Sequence, residues 1–537
     1  MSQRYQADVD NMHSGSEDVF APFADGVIGR ELSIPTPCGS RRAIYADWTA
    51  SGRAYRPLED RLLRHFAPYL ANPHTETSFT GHAMTAAYQQ ARAIIKRHVH
   101  AAADDVLLGT GTGCTGAINK LQRLLGLRIP SNFVGQASVA PDKRPLVLVT
   151  HMEHHSNHTT WLECMVDVEV IPADPDGLID VAAIPALLAR YADRPLKIAS
   201  ITACSNVTGI QTPYHDVAAL MHERGGLCFV DFACSAPYVG IDMHPAEPAR
   251  ALDAIFFSPH KFLGGPGSCG VLIFRQGLYS AGVPDQPGGG TVAWTNPWHE
   301  HRYFDDIEVR EDGGTPGLTQ LIRAALAVQL KDSMGVDRIA ERERDIVRQV
   351  FDRLAVSPRV VILAGKHRER LPVISFYLPG LHYNLVVRML NDRFGVQARG
   401  GCSCAGTYGH YLLNVDVEES HRITSRIDAG DLSDKPGWVR VSFHPVMSDD
   451  DVSAVCNAIL EVAEHGDAWA ADYRHLPGLN DYEHVSGPAP IETMVAGWFA
   501  TGDLDAGTVA VANSGPGRRS RGVDGHPCSE GPTTSID

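Results

Sequence analysis

The strongest constraint on the fold is a series of short apolar runs spaced through the middle of the chain. Pro145–Thr150 (PLVLVT) is almost continuously apolar, as a strand buried on both faces must be. Val168–Pro172, Lys197–Thr202, Leu227–Val230, Ala254–Phe257 and Gly270–Phe274 are further strand candidates. Helical patterns at Ala182–Tyr191 and Val217–Arg224 lie between them. Strand, helix, strand in repetition predicts an α/β fold with a mostly parallel sheet covered on both sides. Leu58–Leu70 and Ala83–His100 read as helices before this block, and Leu318–Met334 and Val336–Leu354 as long helices after it.

Beyond residue 355 the pattern changes to a smaller α+β unit. Strands are expected at Val360–Leu363, Pro372–Leu378 and Trp438–Phe443, and helices at Asn384–Phe394 and Asp449–His465. The polar stretch Asn414–Pro436 reads as an inserted surface loop. From Thr501 the chain holds seven Gly, three Pro and few large apolar groups, so a disordered tail is expected. The net charge of −16 argues against nucleic acid or an anionic membrane surface as the main partner. No apolar run approaches the roughly 20 residues of a membrane helix. Eleven irregularly spaced cysteines fit free thiols in a reducing compartment, so a cytoplasmic enzyme is expected.

The sharpest chemical signal is Ser258-Pro-His-Lys-Phe-Leu-Gly-Gly-Pro-Gly267, set between two apolar runs. Lys261 reads as a Schiff-base lysine, with Ser258 and His260 near a phosphate. The alternative is a surface lysine beside a turn, and this run alone favours neither. Asp231 closes the run Leu227–Val230, where α/β proteins place ligands, although Asp there is also a common helix N-cap. It could hold the protonated ring nitrogen of pyridoxal phosphate. Gly109-Thr-Gly-Thr-Gly-Cys-Thr-Gly116 runs into a helix whose free amides, with the Thr115 hydroxyl, suit a phosphate. In His151-Met-Glu-His-His-Ser-Asn-His158 one imidazole could stack on a flat ring. His151, His154, His155 and His158 with Cys402 and Cys404 could instead bind zinc. The spacing is not H-E-x-x-H, however, and no metal is expected. Cys402 and Cys404 lie in a Gly-rich loop after Arg399, a cation that favours the thiolate, and this loop reads as exposed and mobile. Arg440, inside an apolar run, needs a carboxylate or phosphate partner, which could be a structural acid or a substrate.

In order and spacing from about Ile44 to about His465, this set resembles the class V aminotransferases among fold-type I pyridoxal-phosphate enzymes, and within them the cysteine desulfurase and selenocysteine lyase branch. The resemblance implies a large, mostly parallel seven-stranded-type sheet domain (44–335) and a small α+β domain (336–485, inserted at 414–436). An N-terminal segment (1–43) would pack on the small domain, and an extension (486–537) would follow. Lys261 would carry the cofactor. Ser258, His260, Cys114 and Thr115 would hold its phosphate, His154 would stack on its ring, and Asp231 would pair with its nitrogen. Asn206 would lie near cofactor and substrate. Arg440 would clamp the substrate carboxylate, with Arg399 and His74 lining the substrate pocket. Cys404 would accept sulfur, and Thr315 would reach the phosphate of a partner subunit. A homodimer with shared active sites, an amino-acid substrate and a sulfur-acceptor protein follow from the same likeness. Aminotransferase, C–S lyase and epimerase activities use the same scaffold. Cys234 departs from the pattern, since it stands three residues after Asp231 where the family usually has Gln or His.

Overall fold

The computed structural model describes residues 17–133, 139–487 and 491–500. Residues 1–487 form one unit and 488–537 a second. The expected tail from Thr501 lies outside the described residues.

The first unit is built on a seven-stranded sheet. In spatial order its strands are Val106–Thr110, Gly270–Phe274, Ala254–Phe257, Leu227–Asp231, Lys197–Thr202, Leu146–Thr150 and Asp167–Ile171. Gly270–Phe274 runs antiparallel to both its neighbours, and the remaining pairs are parallel. Six strands therefore point the same way, and their C-terminal ends share one rim.

Side-chain alternation explains the apolar runs, because each strand feeds two cores. Val147, Val149, Phe229 and Phe256 meet Ile118 and Leu121 of helix Cys114–Leu124 on one face. Leu146, Leu148, Ile201, Val230 and Ile255 belong to the opposite core with Met221, Leu321 and Val328. Helices Phe79–His98 and Leu318–Met334 pack against each other beside this second core.

The C-terminal part of the unit is a four-stranded antiparallel sheet in the order Val361–Ile362, Val373–Tyr377, Trp438–Ser442, Arg399–Gly401. Helices Val336–Leu354, Tyr383–Phe394 and Asp449–Trp469 accompany it. The N-terminal chain is tied to this part. Ile44–Tyr45 pairs in parallel with Val396–Gln397, and Ser442 N–H donates to the Ala46 carbonyl at 2.7 Å. That crossing carries Asp47 to the strand that holds Arg440.

The stretch 414–436 is not the plain loop expected from its polarity. It contains a helix, Val417–Asp428, in which only Ile423 is buried. Local interactions build it: the Asp416 side chain caps Glu419 N–H, Glu418 and Glu419 occupy the first turn, and Arg422 pairs with Glu419. The second unit shows one short helix, Ile491–Trp498. Among the described residues no helix is long and apolar enough to cross a membrane.

The rim is tightly built where Gly270 enters the sheet. A Cβ there would meet the Gly113 carbonyl oxygen at 2.3 Å and that of Thr110 at 2.7 Å. Gly270→Ala is expected to cost about 1–3 kcal/mol of stability, measured by urea unfolding, because backbone and not a movable side chain blocks the methyl.

Candidate active site

The rim of C-terminal strand ends opens into a cavity of about 290 Å³. Its lining includes Cys114, Thr115, His154, Asn206, Asp231, Ser258, His260, Lys261, Arg399, Cys404 and Arg440. Eleven of the thirteen residues expected to form the site thus face one space. The other two, His74 and Thr315, lie in a separate pocket with Asn72, Gly289, Gly290 and Gly314, where Asn72 Nδ2 donates to Thr315 Oγ1 at 3.4 Å.

One wall is made for an anion. Helix Cys114–Leu124 begins at the cavity with no side-chain cap. Cys114 N–H donates to Ser258 Oγ at 2.8 Å, which brings the lysine-bearing segment against the helix start. A Cβ on Gly113 would lie 3.0 Å from Ser258 Oγ and 3.3 Å from His260 Nε2, a tight approach. Thr115 Oγ1 and Ser156 Oγ share a 2.6 Å hydrogen bond at the same wall. Cys114 N–H is taken by Ser258, and the Gly116 and Ala117 amides point at the Gly113 carbonyl. The Thr115 end of the helix start, the hydroxyls and an imidazole are the donors this wall offers a phosphate.

Asp231 lies deeper and is buried. Its Oδ1 accepts from Ala233 N–H at 2.8 Å and from the Cys114 thiol at 3.2 Å. Burial raises its pKa against the opposing pull of these hydrogen bonds and of Lys261. A cationic ring nitrogen would give this carboxylate the ion-pair partner it lacks among the described residues. Burial, then the positive field of Lys261, holds His154 down at about 4 and His260 likewise at about 4. Both are neutral at physiological pH. His154 Nδ1 accepts from Ser156 N–H at 3.1 Å, and this bond orients the ring.

Arg440 has a structural partner: its Nη2 donates to Asp47 Oδ1 at 2.8 Å, and its Nη1 to the Asn206 carbonyl at 3.0 Å. Arg399 Nε donates to the other oxygen of Asp47 at 3.0 Å. The two arginines are register partners on adjacent strands, so one carboxylate spans both. Among the described residues the buried Nε of Arg440 and Oδ1 of Asn206 have no hydrogen-bond partner.

Cys404 is exposed and lines the cavity, whereas Cys402 is half-buried against the core and does not. The loop is not free, contrary to its glycine-rich appearance. Ala405 N–H donates to the Cys402 carbonyl at 3.0 Å across a turn with φ +52° at Ser403 and +56° at Cys404. Asn206 Nδ2 donates to the Ser403 carbonyl at 2.7 Å. The other histidines of the cluster face the helix Gly406–Leu413 that follows. His155 Nε2 accepts from Gly406 N–H, His158 Nδ1 meets Thr407 Oγ1 at 3.1 Å, and His151 packs on Tyr408 and Tyr411. Among the described residues no three His, Cys, Asp or Glu side chains are gathered for a metal.

Sequence reasoning missed several contributors. Glu153 is buried at the rim and pushed up to about 8 by burial. Its oxygens accept from Thr150 Oγ1 at 2.7 Å, Thr202 N–H at 2.8 Å and Asn157 Nδ2 at 2.7 Å, joining two strand ends beneath His154. A glutamate directly after a buried strand was the available signal. Asp47 gave none, since its partner lies 393 residues away. Cys204 and Cys234 both lie over the Ser205 carbonyl, at 3.7 and 3.6 Å, on the cavity floor.

The family model for aminotransferase class-V matches residues 44–455. A cysteine desulfurase of Klebsiella pneumoniae is 28% identical over 397 residues, covering 72% of this chain and 89% of that protein. One from Escherichia coli O127:H6 is 29% identical over 286 residues, covering 52% of this chain and 66% of that protein, so the aligned part falls just short of two thirds of that relative. A solved apo cysteine desulfurase from Thermococcus onnurineus matches with a TM-score of 0.64 at 22% identity, over 79% of this chain and 95% of that one. One from Escherichia coli matches at 0.62 and 21%, over the same shares. At these identities the structural likeness shows the fold.

The two depressed histidines predict a pH signature. A group whose pKa falls on folding adds stability that is full above its unfolded value near 6.5 and is lost as pH drops toward the folded value near 4. The urea midpoint of cofactor-free protein is expected to fall across that window. The decline should be smaller in the His154→Gln/His260→Gln double variant.

Proposed function

We propose that this chain, which belongs to the class-V aminotransferase family, is a pyridoxal-phosphate-dependent cysteine desulfurase: it converts L-cysteine to L-alanine and leaves the sulfur as a persulfide on Cys404. The observation that carries the reading is an exposed thiol, Cys404, sharing one cavity with Lys261, Asp231 and Arg440. The residues present fit the cofactor. The helix start at Cys114 with Thr115, Ser258 and His260 would hold its phosphate, Asp231 its ring nitrogen and His154 a ring face. Asn206 would lie beside it, and Lys261 would bind it covalently. Pyridoxal phosphate, when bound, supplies an electron sink for the α-carbon of an amino acid.

The chain's own residues supply the rest. Arg440 and Arg399 attract the substrate carboxylate, in competition with Asp47, and fix which substrate bonds face the catalytic groups. The Lys261 amine, once free, takes the α-proton and carries it within the cavity. The Cys404 thiolate attacks the substrate sulfur, so an S–S bond forms as the carbon–sulfur bond breaks. Returning the protons yields alanine. Cysteine plus the enzyme thiol thus become alanine plus enzyme persulfide, with no external oxidant. The persulfide then passes to the thiol of a separate acceptor.

Thr315 and His74 serve the site of a second copy in a homodimer. Their position in a pocket apart from Lys261 of the same chain supports this reading.

Steady-state assay with L-cysteine and a reductant tests the function. Wild type is expected to release alanine and sulfide in equal amounts, and Cys404→Ala to release neither. Lys261→Ala should lose both by roughly 10²-fold or more. Alanine formation that survives loss of Cys404 would overturn the desulfurase and leave aminotransfer, lyase or epimerase chemistry.

A further inference from the structure

The geometry points to His155 as a positioning residue for Cys404: its backbone and its ring together clamp the turn that carries the thiol and so hold the thiol over the cavity. The inference rests on the desulfurase reading for its catalytic consequence, but not for the clamp itself.

His155 grips the loop on both sides of Ala405. Its backbone N–H donates to the Cys404 carbonyl at 2.8 Å, and its ring Nε2 accepts from Gly406 N–H at 2.9 Å. The contact is close enough that a Cβ on Gly406 would lie 3.2 Å from that nitrogen. The turn needs such a grip. Ser403 and Cys404 both take left-handed backbone angles without being glycine, which strains the turn. Released, they would relax toward extended geometry and carry the thiol away. The Asn206 hydrogen bond and that of Trp438 Nε1 to Ser403 Oγ at 3.2 Å hold Ser403. His155 alone receives the amide that follows Ala405.

The ring can accept at Nε2 only while that nitrogen is unprotonated. Burial, and then Lys435, lowers the pKa of His155. The charged or titratable neighbours are His154, whose ring centroid is 6.3 Å away, His158 and Lys435. A nucleophile displaced by about 1 Å can lose roughly 10²-fold in rate, so a side chain that never meets substrate can still set kcat.

The test uses the cofactor-loaded enzyme and three variants. His155→Leu removes the ring acceptor. His155→Gln supplies another acceptor for the Gly406 amide. Gly406→Ala crowds the ring from the other side, and serves if His155→Leu does not fold. Three quantities are read: hydrogen exchange of the 402–407 amides, alanine formation from L-cysteine, and α-deuteration of L-alanine in D2O. The last needs Lys261 but not Cys404. His155→Leu and Gly406→Ala are expected to lose Gly406 amide protection and to lower kcat for desulfuration at least roughly 10-fold, with KM and α-deuteration within about 2-fold. His155→Gln should recover most of both. Retained amide protection in His155→Leu, or α-deuteration falling in step with desulfuration, would overturn the proposal. If wild type forms no alanine from L-cysteine, the desulfurase reading fails. Loss of Gly406 protection in His155→Leu and its return in His155→Gln would then uphold the clamp, and unchanged protection would refute it.

Discussion

Everything at this site depends on parallel strand pairing. Parallel neighbours must be fully covered, so their side chains are apolar and the chemistry is pushed to the strand ends. Because six strands share a direction, six C-terminal ends meet on one rim. Residues following Thr110, Thr150, Thr202, Asp231 and Phe257 therefore converge, although they are spread along more than half of the sheet-forming segment. The single reversed strand adds a steric limit, since the glycine at its start admits no side chain against Gly113.

Buried polar groups tie the rim together. Glu153 joins two strand ends through hydrogen bonds from three side-chain or backbone donors. Asp47 joins two arginines of the antiparallel sheet to the N-terminal chain. Each is a buried or largely buried carboxyl group whose loss would leave donors unsatisfied, at a cost of about 1–3 kcal/mol apiece. These links fix where Arg440 and His154 stand before any ligand arrives.

Much of this was legible in the chain. Helices Leu318–Met334 and Val336–Leu354 and strands Lys197–Thr202, Ala254–Phe257 and Gly270–Phe274 fall where the apolar periodicity puts them. Lys261, Asp231 and the Gly109–Gly116 turn could be read because each directly abuts a buried strand. What could not be read was pairing at a distance, as in Asp47 with Arg440 or His155 with Gly406. Nothing local to those residues names the partner. The helix Val417–Asp428 escaped for another reason: it is held by caps and ion pairs and buries one residue, so it lacks the apolar stripe by which helices are found. The cysteine loop is again a case of pairing at a distance, since its glycines suggest freedom while its hydrogen bonds come from His155, Asn206 and Trp438.

The central claim is that sulfur leaves its substrate onto Cys404. The most direct test is the peptide mass of the cofactor-loaded enzyme after one turnover with L-cysteine in the absence of reductant. The account predicts one added sulfur atom on the peptide containing Cys402 and Cys404, absent in Cys404→Ala and present in Cys402→Ala. Alanine released with no added sulfur on that peptide, or sulfur retained in Cys404→Ala, would contradict it.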